Sequence, residues 1–107
     1  MRKEVEHFLK EYVKRFQQSG IQVEALILFG SQAKGTATIS SDIDIAVVMR
    51  ENLSPQSRGK LLSLGEEIDM RFETNLFFTT RQALEKAEGL FDTNKYIRDE
   101  GLVLWQS

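Results

Sequence analysis

Two apolar runs joined by a polar segment constrain the fold of this chain more than any other feature. The first run, residues 24–29, ends at Gly30-Ser31, and after ten more residues Asp42 and Asp44 open the second run. Residues i and i+2 of a strand point to one face, so both carboxylates are expected to project together. The connection is too short for a full crossover helix. It therefore predicts antiparallel neighbouring strands, with Gly30-Ser31 beside the two aspartates.

The chemistry of these four residues suits a metal ion and a phosphate. Mg²⁺ usually takes one or two protein carboxylates and completes its shell with water and substrate phosphates. Asp42 and Asp44 offer two such carboxylates without a basic neighbour in sequence. Gly30 and Ser31 offer a bare backbone and a hydroxyl that can approach a phosphate. The pattern predicts that Asp42 and Asp44 bind Mg²⁺ or Mn²⁺ next to a bound nucleotide.

Residues 30–48 as a whole resemble the nucleotidyltransferase superfamily that includes DNA polymerase beta. The resemblance is closer to the minimal nucleotidyltransferase (MNT) family of small prokaryotic proteins, which carries Gly-Ser, a ten-residue spacer and Asp-x-Asp between hydrophobic strands. It implies an α/β (α+β) fold, a small mixed sheet of three to four strands with helices packed on it. It also implies Asp42 and Asp44 as catalytic metal ligands and Gly30 and Ser31 as nucleotide-binding residues.

Lys34 lies shortly after the Gly-Ser pair, at a place where the resembling family often has a basic residue. A lysine there could meet the triphosphate of a bound nucleotide. The alternative is an ordinary solvated surface lysine. The sequence leaves both interpretations open, and Lys34 is carried forward as a candidate nucleotide-binding residue.

The order of elements predicts one domain over residues 1–107, because a chain of this length supports a single core. Apolar spacing predicts an N-terminal helix within 1–20, a catalytic core over 23–80, and C-terminal helices and a strand over 81–107. Residues 36–41 are predicted to form a polar loop within this catalytic segment of the chain. A helix opened by Ser54-Pro55 lies between the second and third strands, which predicts a parallel crossover.

The third strand, predicted from Asn75, should therefore start at the same end of the sheet as the aspartates. The resembling family carries its third carboxylate there, and this chain has an amide. Asn can coordinate a metal through its carbonyl oxygen but cannot accept a proton at neutral pH. Glu73, two residues earlier, could take the role if the strand extends back to it. A weakened site, or one completed by a partner, is the other interpretation.

Composition narrows the class of substrate and the location. The net charge is −2, and no Lys or Arg cluster is longer than a pair, which argues against a nucleic-acid substrate. No apolar run has the length of a membrane span. The absence of cysteine agrees with a cytoplasmic protein.

The resemblance implies transfer of a nucleoside monophosphate, AMP from ATP, to a hydroxyl acceptor. MNT proteins often pair with a small helical protein of the HEPN type, frequently an RNA-cleaving toxin, and neutralise it by adding AMP. The expected function is thus that of an antitoxin enzyme. Two alternatives stay open: a transferase for a small hydroxyl compound, and a catalytically weakened subunit that works by binding its partner.

Overall fold

The computed structural model describes residues 2–35, 42–70 and 73–107, so the predicted loop at 36–41 lies outside the described residues. The elements follow the order α1 (Lys3–Gln18), β1 (Ala25–Phe29), α2 (Ser31–Lys34), β2 (Ile43–Met49), α3 (Pro55–Glu66), β3 (Thr74–Thr80), α4 (Arg81–Lys86), α5 (Thr93–Glu100) and β4 (Leu102–Gln106).

The four strands form one mixed sheet in the order β3-β2-β1-β4. Strand β1 is antiparallel to both β2 and β4, and β2 is parallel to β3. The structure confirms the predicted mixed sheet, the antiparallel pairing across the Gly-Ser segment, and the parallel crossover through α3. The element order and the strand order agree with the fold that the resemblance implied.

Helices α1 and α3 cover one face of the sheet. Phe8, Tyr12 and Phe16 of α1 are fully or almost fully buried, and their rings pack in series with centroids 5.0 and 5.4 Å apart. The series continues to Trp105 of β4, 5.2 Å from Phe16. The Tyr12 hydroxyl donates a hydrogen bond to the Leu61 carbonyl of α3 at 2.9 Å, so the two helices are joined by a polar contact inside an apolar layer.

Helices α4 and α5 cover the opposite face through a smaller core. Its buried members come from both helices and from the alternate residues of β1 and β2: Ala25, Ile27, Ala46, Val48, Leu84 and Ile97. Because side chains alternate along a strand, Asp44 shares this face with Ala46 and Val48. The second face of the sheet therefore runs from an apolar core at one end to two carboxylates at the other.

Local capping explains where the later helices begin and end. The Ser54 side chain accepts a hydrogen bond from the Ser57 N–H at 3.2 Å, and Pro55 follows at the first helical position. The Thr80 hydroxyl accepts from the Ala83 N–H at 3.1 Å, and α5 ends at Gly101. The start of α3 agrees with the helix predicted to open at Ser54-Pro55.

Candidate active site

Gly30 lies directly against the Asp44 carboxylate. The register pairs Phe29 with Asp44, so the chain turns away from β1 immediately beside that side chain. Gly30 has φ 74° and ψ −153°, a region that essentially only glycine occupies. A Cβ at this position would overlap the Asp44 carboxylate oxygen. Backbone conformation and the close approach of Asp44 thus both require glycine here.

Asn75 joins the two aspartates. It is the partner of Asp44 in the parallel β2–β3 register, and its side-chain nitrogen donates to the Asp44 carboxylate at 3.0 Å. The same nitrogen donates to the Asp42 carboxylate at 3.4 Å. Asp42 precedes the first residue of β2, yet its carboxylate converges with that of Asp44 on this one donor. The structure therefore brings together Gly30, both aspartates and Asn75, as the sequence predicted for the end of the sheet.

The donor set fits a divalent cation held by two protein carboxylates. Two carboxylate oxygens that are close enough to share one N–H donor are also close enough to share one small cation. Oxygen is the ligand that Mg²⁺ prefers. Within the described ranges, no group of three or more His, Cys, Asp or Glu side chains could hold a metal ion. Asp42 and Asp44 are the two carboxylates at this site that could hold a divalent cation, and the remaining ligands would have to come from outside these side chains. The Asn75 side chain stands where a third acidic ligand is expected.

Glu73 does not join this group. Its main-chain carbonyl accepts a hydrogen bond from the Ile43 N–H at 2.9 Å, which starts the β2–β3 pairing. The residue is exposed and borders a groove that Phe8, Gly65 and Met70 also line. That groove lies towards α1 and α3. In the described part of the chain, no hydrogen bond connects Glu73 with either aspartate.

Ser31 and Lys34 are the first and last residues of the short helix α2, which Gly30 precedes and Gly35 follows. Ser31 is half-buried and directly follows the glycine that contacts Asp44. Lys34 is exposed, and its ammonium nitrogen lies 4.9 Å from the ring centroid of Tyr96 on α5. The structure thus places both predicted nucleotide-binding residues on the turn beside the carboxylates.

Sequence reasoning missed Tyr96 and the aromatic group around it. Phe29 packs edge-on against Tyr96, with centroids 6.5 Å apart, and against Phe77, 6.4 Å apart. All three are half-buried. Phe29 is the register partner of Asp44, and Phe77 lies two residues after Asn75 on β3. These rings therefore separate the polar site from the α4–α5 core.

The fold and this site define a nucleotidyltransferase domain. The polymerase beta nucleotidyltransferase family profile matches residues 9–101, and the chain belongs to that family. Members of the family generally use a divalent metal ion and a nucleoside triphosphate. Comparison with curated proteins gives no significant match.

Solved structures that are similar to the chain include the following two. One is a proposed nucleotidyltransferase from Sulfolobus solfataricus, 17% identical, with 99% of this chain and 89% of that chain covered and a TM-score of 0.60. The other belongs to a toxin-antitoxin structure with AMP-PNP, 26% identical, with coverages of 90% and 72% and a TM-score of 0.57. None of the helices in the described ranges has the length and apolar character needed to cross a bilayer.

Proposed function

We propose that this chain is a nucleotidyltransferase that uses Mg²⁺ or Mn²⁺ to move AMP from ATP to a hydroxyl group of a partner protein. One observation carries the proposal. The Gly30 backbone contacts the Asp44 carboxylate, and Asn75 links Asp44 to Asp42 through hydrogen bonds. The turn proposed to bind phosphate and the two carboxylates proposed to bind the metal therefore lie at the same end of the sheet.

Each residue has a defined role in this proposal. Gly30 and Ser31 bind the β- and γ-phosphates through backbone N–H groups and the Ser31 hydroxyl, and Lys34 adds a positive charge. Asp42 and Asp44 would hold the metal, which neutralises the triphosphate and stabilises the attacking and leaving oxygens when it is bound. The acceptor hydroxyl oxygen bonds to the α-phosphorus and gives up its proton to water. The bond between the α-phosphorus and the oxygen that bridges to the β-phosphate breaks, and pyrophosphate leaves. Catalysis of this kind consists mainly of positioning and charge neutralisation.

The proposed acceptor is a HEPN-type helical toxin, which makes the chain an antitoxin of the MNT kind. The similarity to a toxin-antitoxin structure with AMP-PNP supports a protein partner and an adenine nucleotide. The described residues fold as one sheet with helices on both faces. An acceptor that brings its own docking surface fits such a compact unit.

A catalytically weakened binding subunit is the second candidate, and Asn75 favours it. The amide cannot remove a proton from the acceptor hydroxyl. Glu73, the nearby acid, borders the groove towards α1 and α3. In this second candidate the chain neutralises its partner by covering it, and the retained carboxylates bind a nucleotide without transferring it.

The deciding experiment uses ATP labelled at the α- or the γ-phosphate, with a purified helical partner of the HEPN type. Transfer of AMP labels the partner from α-labelled ATP and not from γ-labelled ATP. The Asp42→Asn, Asp44→Asn double variant should abolish labelling. Asp69→Asn, which changes an exposed carboxylate on the segment after α3, should leave labelling unchanged. A stoichiometric complex without any labelling would support the binding subunit instead.

A further inference from the structure

We infer that Tyr96 is a positioning residue for the triphosphate, because its ring holds the Lys34 ammonium beside the Gly30-Ser31 turn. This inference rests on the proposed function, in which Lys34 meets the phosphates. It adds α5, more than sixty positions along the chain, to the nucleotide site. Tyr96 is not expected to touch the reacting atoms and acts through Lys34.

The geometry of the contact is that of a cation–π interaction. The Lys34 ammonium lies 4.9 Å from the ring centroid of Tyr96, within the roughly 6 Å over which a ring face attracts a cation. No carboxylate in the described part of the chain forms an ion pair with Lys34. Its positive charge is therefore drawn to a neutral ring and remains available for an anionic ligand.

The ring is a fixed platform, while the lysine is the flexible member of the pair. Tyr96 packs edge-on against Phe29, and its neighbour Ile97 is 1% exposed in the α4–α5 core. Lys34 is exposed at the end of a four-residue helix, and a lysine stem has many rotamers that must be restricted before it can bind a phosphate. The ring restricts them in advance, before nucleotide arrives.

Holding the ammonium on the ring does not use up its hydrogen-bonding capacity. A lysine ammonium has three N–H donors, and one ring face occupies only one side of it. The donors on the other side can meet phosphate oxygens on the Gly30-Ser31 turn, since Lys34 and Ser31 belong to the same short helix. The ring contact and the phosphate contact are therefore compatible, and they should favour each other.

Calorimetric titration of a non-hydrolysable ATP analogue with Mg²⁺ tests the inference through a double-mutant cycle. Tyr96→Leu, which removes the ring face, should weaken binding about two- to fivefold, the factor that an exposed cation–π contact provides. Tyr96→Phe, which keeps the ring, should bind like the wild type. In a Lys34→Gln background, Tyr96→Leu should cause no further loss. The affinity for AMP, which has no β- or γ-phosphate, should change little in Tyr96→Leu or in Lys34→Gln.

A second measurement needs no variant. The side-chain methylene protons of Lys34 should show an upfield ring-current shift in the nuclear magnetic resonance spectrum of the free protein, and its absence would overturn the inference. An unchanged or tighter affinity in Tyr96→Leu, or an equal loss in the Lys34→Gln background, would also overturn it. In those cases the wild type still binds the analogue and the proposed function stands. Failure of the wild type itself to bind nucleotide would refute the proposed function together with this inference.

Discussion

Asn75 donates its side-chain amide to the Asp44 carboxylate at 3.0 Å, across the parallel ladder in which the two residues are register partners. The same amide reaches Asp42 at 3.4 Å, so one neutral donor satisfies two converging carboxylates. An amide supplies hydrogen bonds without adding to the negative charge. It therefore stabilises the carboxylate pair when no cation is bound, and it contributes less than a third carboxylate would to holding a cation.

The first prediction is that Asn75→Asp makes folding dependent on a divalent metal ion. The substitution removes the donor to both aspartates and places a third negative charge beside them. Without metal, the free energy of unfolding should fall by about 1–3 kcal/mol. Millimolar Mg²⁺ should restore it, and thermal unfolding with and without Mg²⁺ measures both effects. The control is Asn52→Asp, which adds the same charge at an exposed position, and a metal-dependent change there as large as at position 75 would contradict the explanation.

The second prediction concerns the same position in catalysis. If the proposed AMP transfer occurs without a general base, Asn75→Asp should accelerate it, and the gain can reach the roughly 10² to 10⁴ that a general base provides. Glu73→Gln should then change little, because Glu73 borders the groove towards α1 and α3. Labelling of the partner by α-labelled ATP gives the rates. Loss of labelling in Glu73→Gln would instead identify Glu73 as the base.

The third prediction is that a side chain at position 30 destabilises the protein through backbone strain together with overlap on Asp44. Gly30→Ala should lower the free energy of unfolding by about 3 kcal/mol, since it combines a backbone region reserved for glycine with overlap on the Asp44 carboxylate. It should also abolish metal-dependent nucleotide binding. Calorimetry and chemical unfolding measure the two effects.

Gly35 provides a comparison in the left-handed region, at a position where an added side chain meets no other atoms. It follows the same helix, has φ 73°, and has open space where a Cβ would be. Gly35→Ala should therefore cost only about 1–2 kcal/mol, the penalty for a left-handed residue with a side chain. Equal costs at the two glycines would show that the contact with Asp44 adds nothing.

The sequence predicted that Asp42, Asp44 and Asn75 meet at one end of the sheet, because this placement follows from strand alternation and connection length. Strand alternation places Asp44 on one face, and the short connection makes β1 and β2 antiparallel. The crossover through α3 then brings Asn75 to the same end, and the register confirms this. These steps need only connection lengths and residue parity, so they can be followed along the printed chain.

The sequence left one question open and missed one contact. It offered Glu73 as a substitute if the third strand extended back to it, and β3 begins at Thr74. The Lys34–Tyr96 contact depends on how α5 packs over β1, and nothing in either local sequence indicates it. A contact between residues that lie far apart in the sequence, on two different helices, can be found only from the structure.

The fourth prediction concerns alkaline pH. Burial raises the pKa of Tyr12 well above its ordinary value, because the charged phenolate would lose its water in the α1–α3 layer. The folded protein therefore keeps this proton more tightly than the unfolded chain. Stability from this group is complete below about pH 10, and it should fall above that pH by about 1.4 kcal/mol per pH unit until the folded pKa is reached.

Tyr12→Phe isolates this effect. At neutral pH the free energy of unfolding of the variant should be lower by about 1 kcal/mol, because it lacks the 2.9 Å hydrogen bond from the Tyr12 hydroxyl to the Leu61 carbonyl. An unfolded tyrosine loses its proton from about pH 10 upward, so between about pH 10 and about pH 12 the stability of Tyr12→Phe should fall less steeply than that of the wild type. Urea unfolding across this range measures both slopes, and parallel curves would exclude Tyr12 as the cause.

The last prediction is that Arg98 fixes the turn between α4 and α5. One of its terminal nitrogens, Nη1, donates to the carbonyls of Leu84, Glu85 and Ala87 at 3.0, 3.3 and 2.9 Å. Arg98→Ala leaves these helix-end carbonyls without that donor, so the free energy of unfolding should fall by about 1–2 kcal/mol. Solvent replaces part of the loss, because Arg98 is exposed.

Lys95→Ala is the comparison variant for Arg98→Ala, because it also removes a positive charge from α5. Lys95 makes only a 3.9 Å ion pair with Asp99 on the surface of the helix, and such pairs contribute about 0.5 kcal/mol or less. Arg98→Lys should recover little, since a single ammonium on an unbranched stem does not reproduce the planar guanidinium. Denaturant unfolding of the three variants decides the matter. If Arg98→Ala and Lys95→Ala cost the same, the charge of α5 and not the carbonyl contacts of Arg98 stabilises the turn.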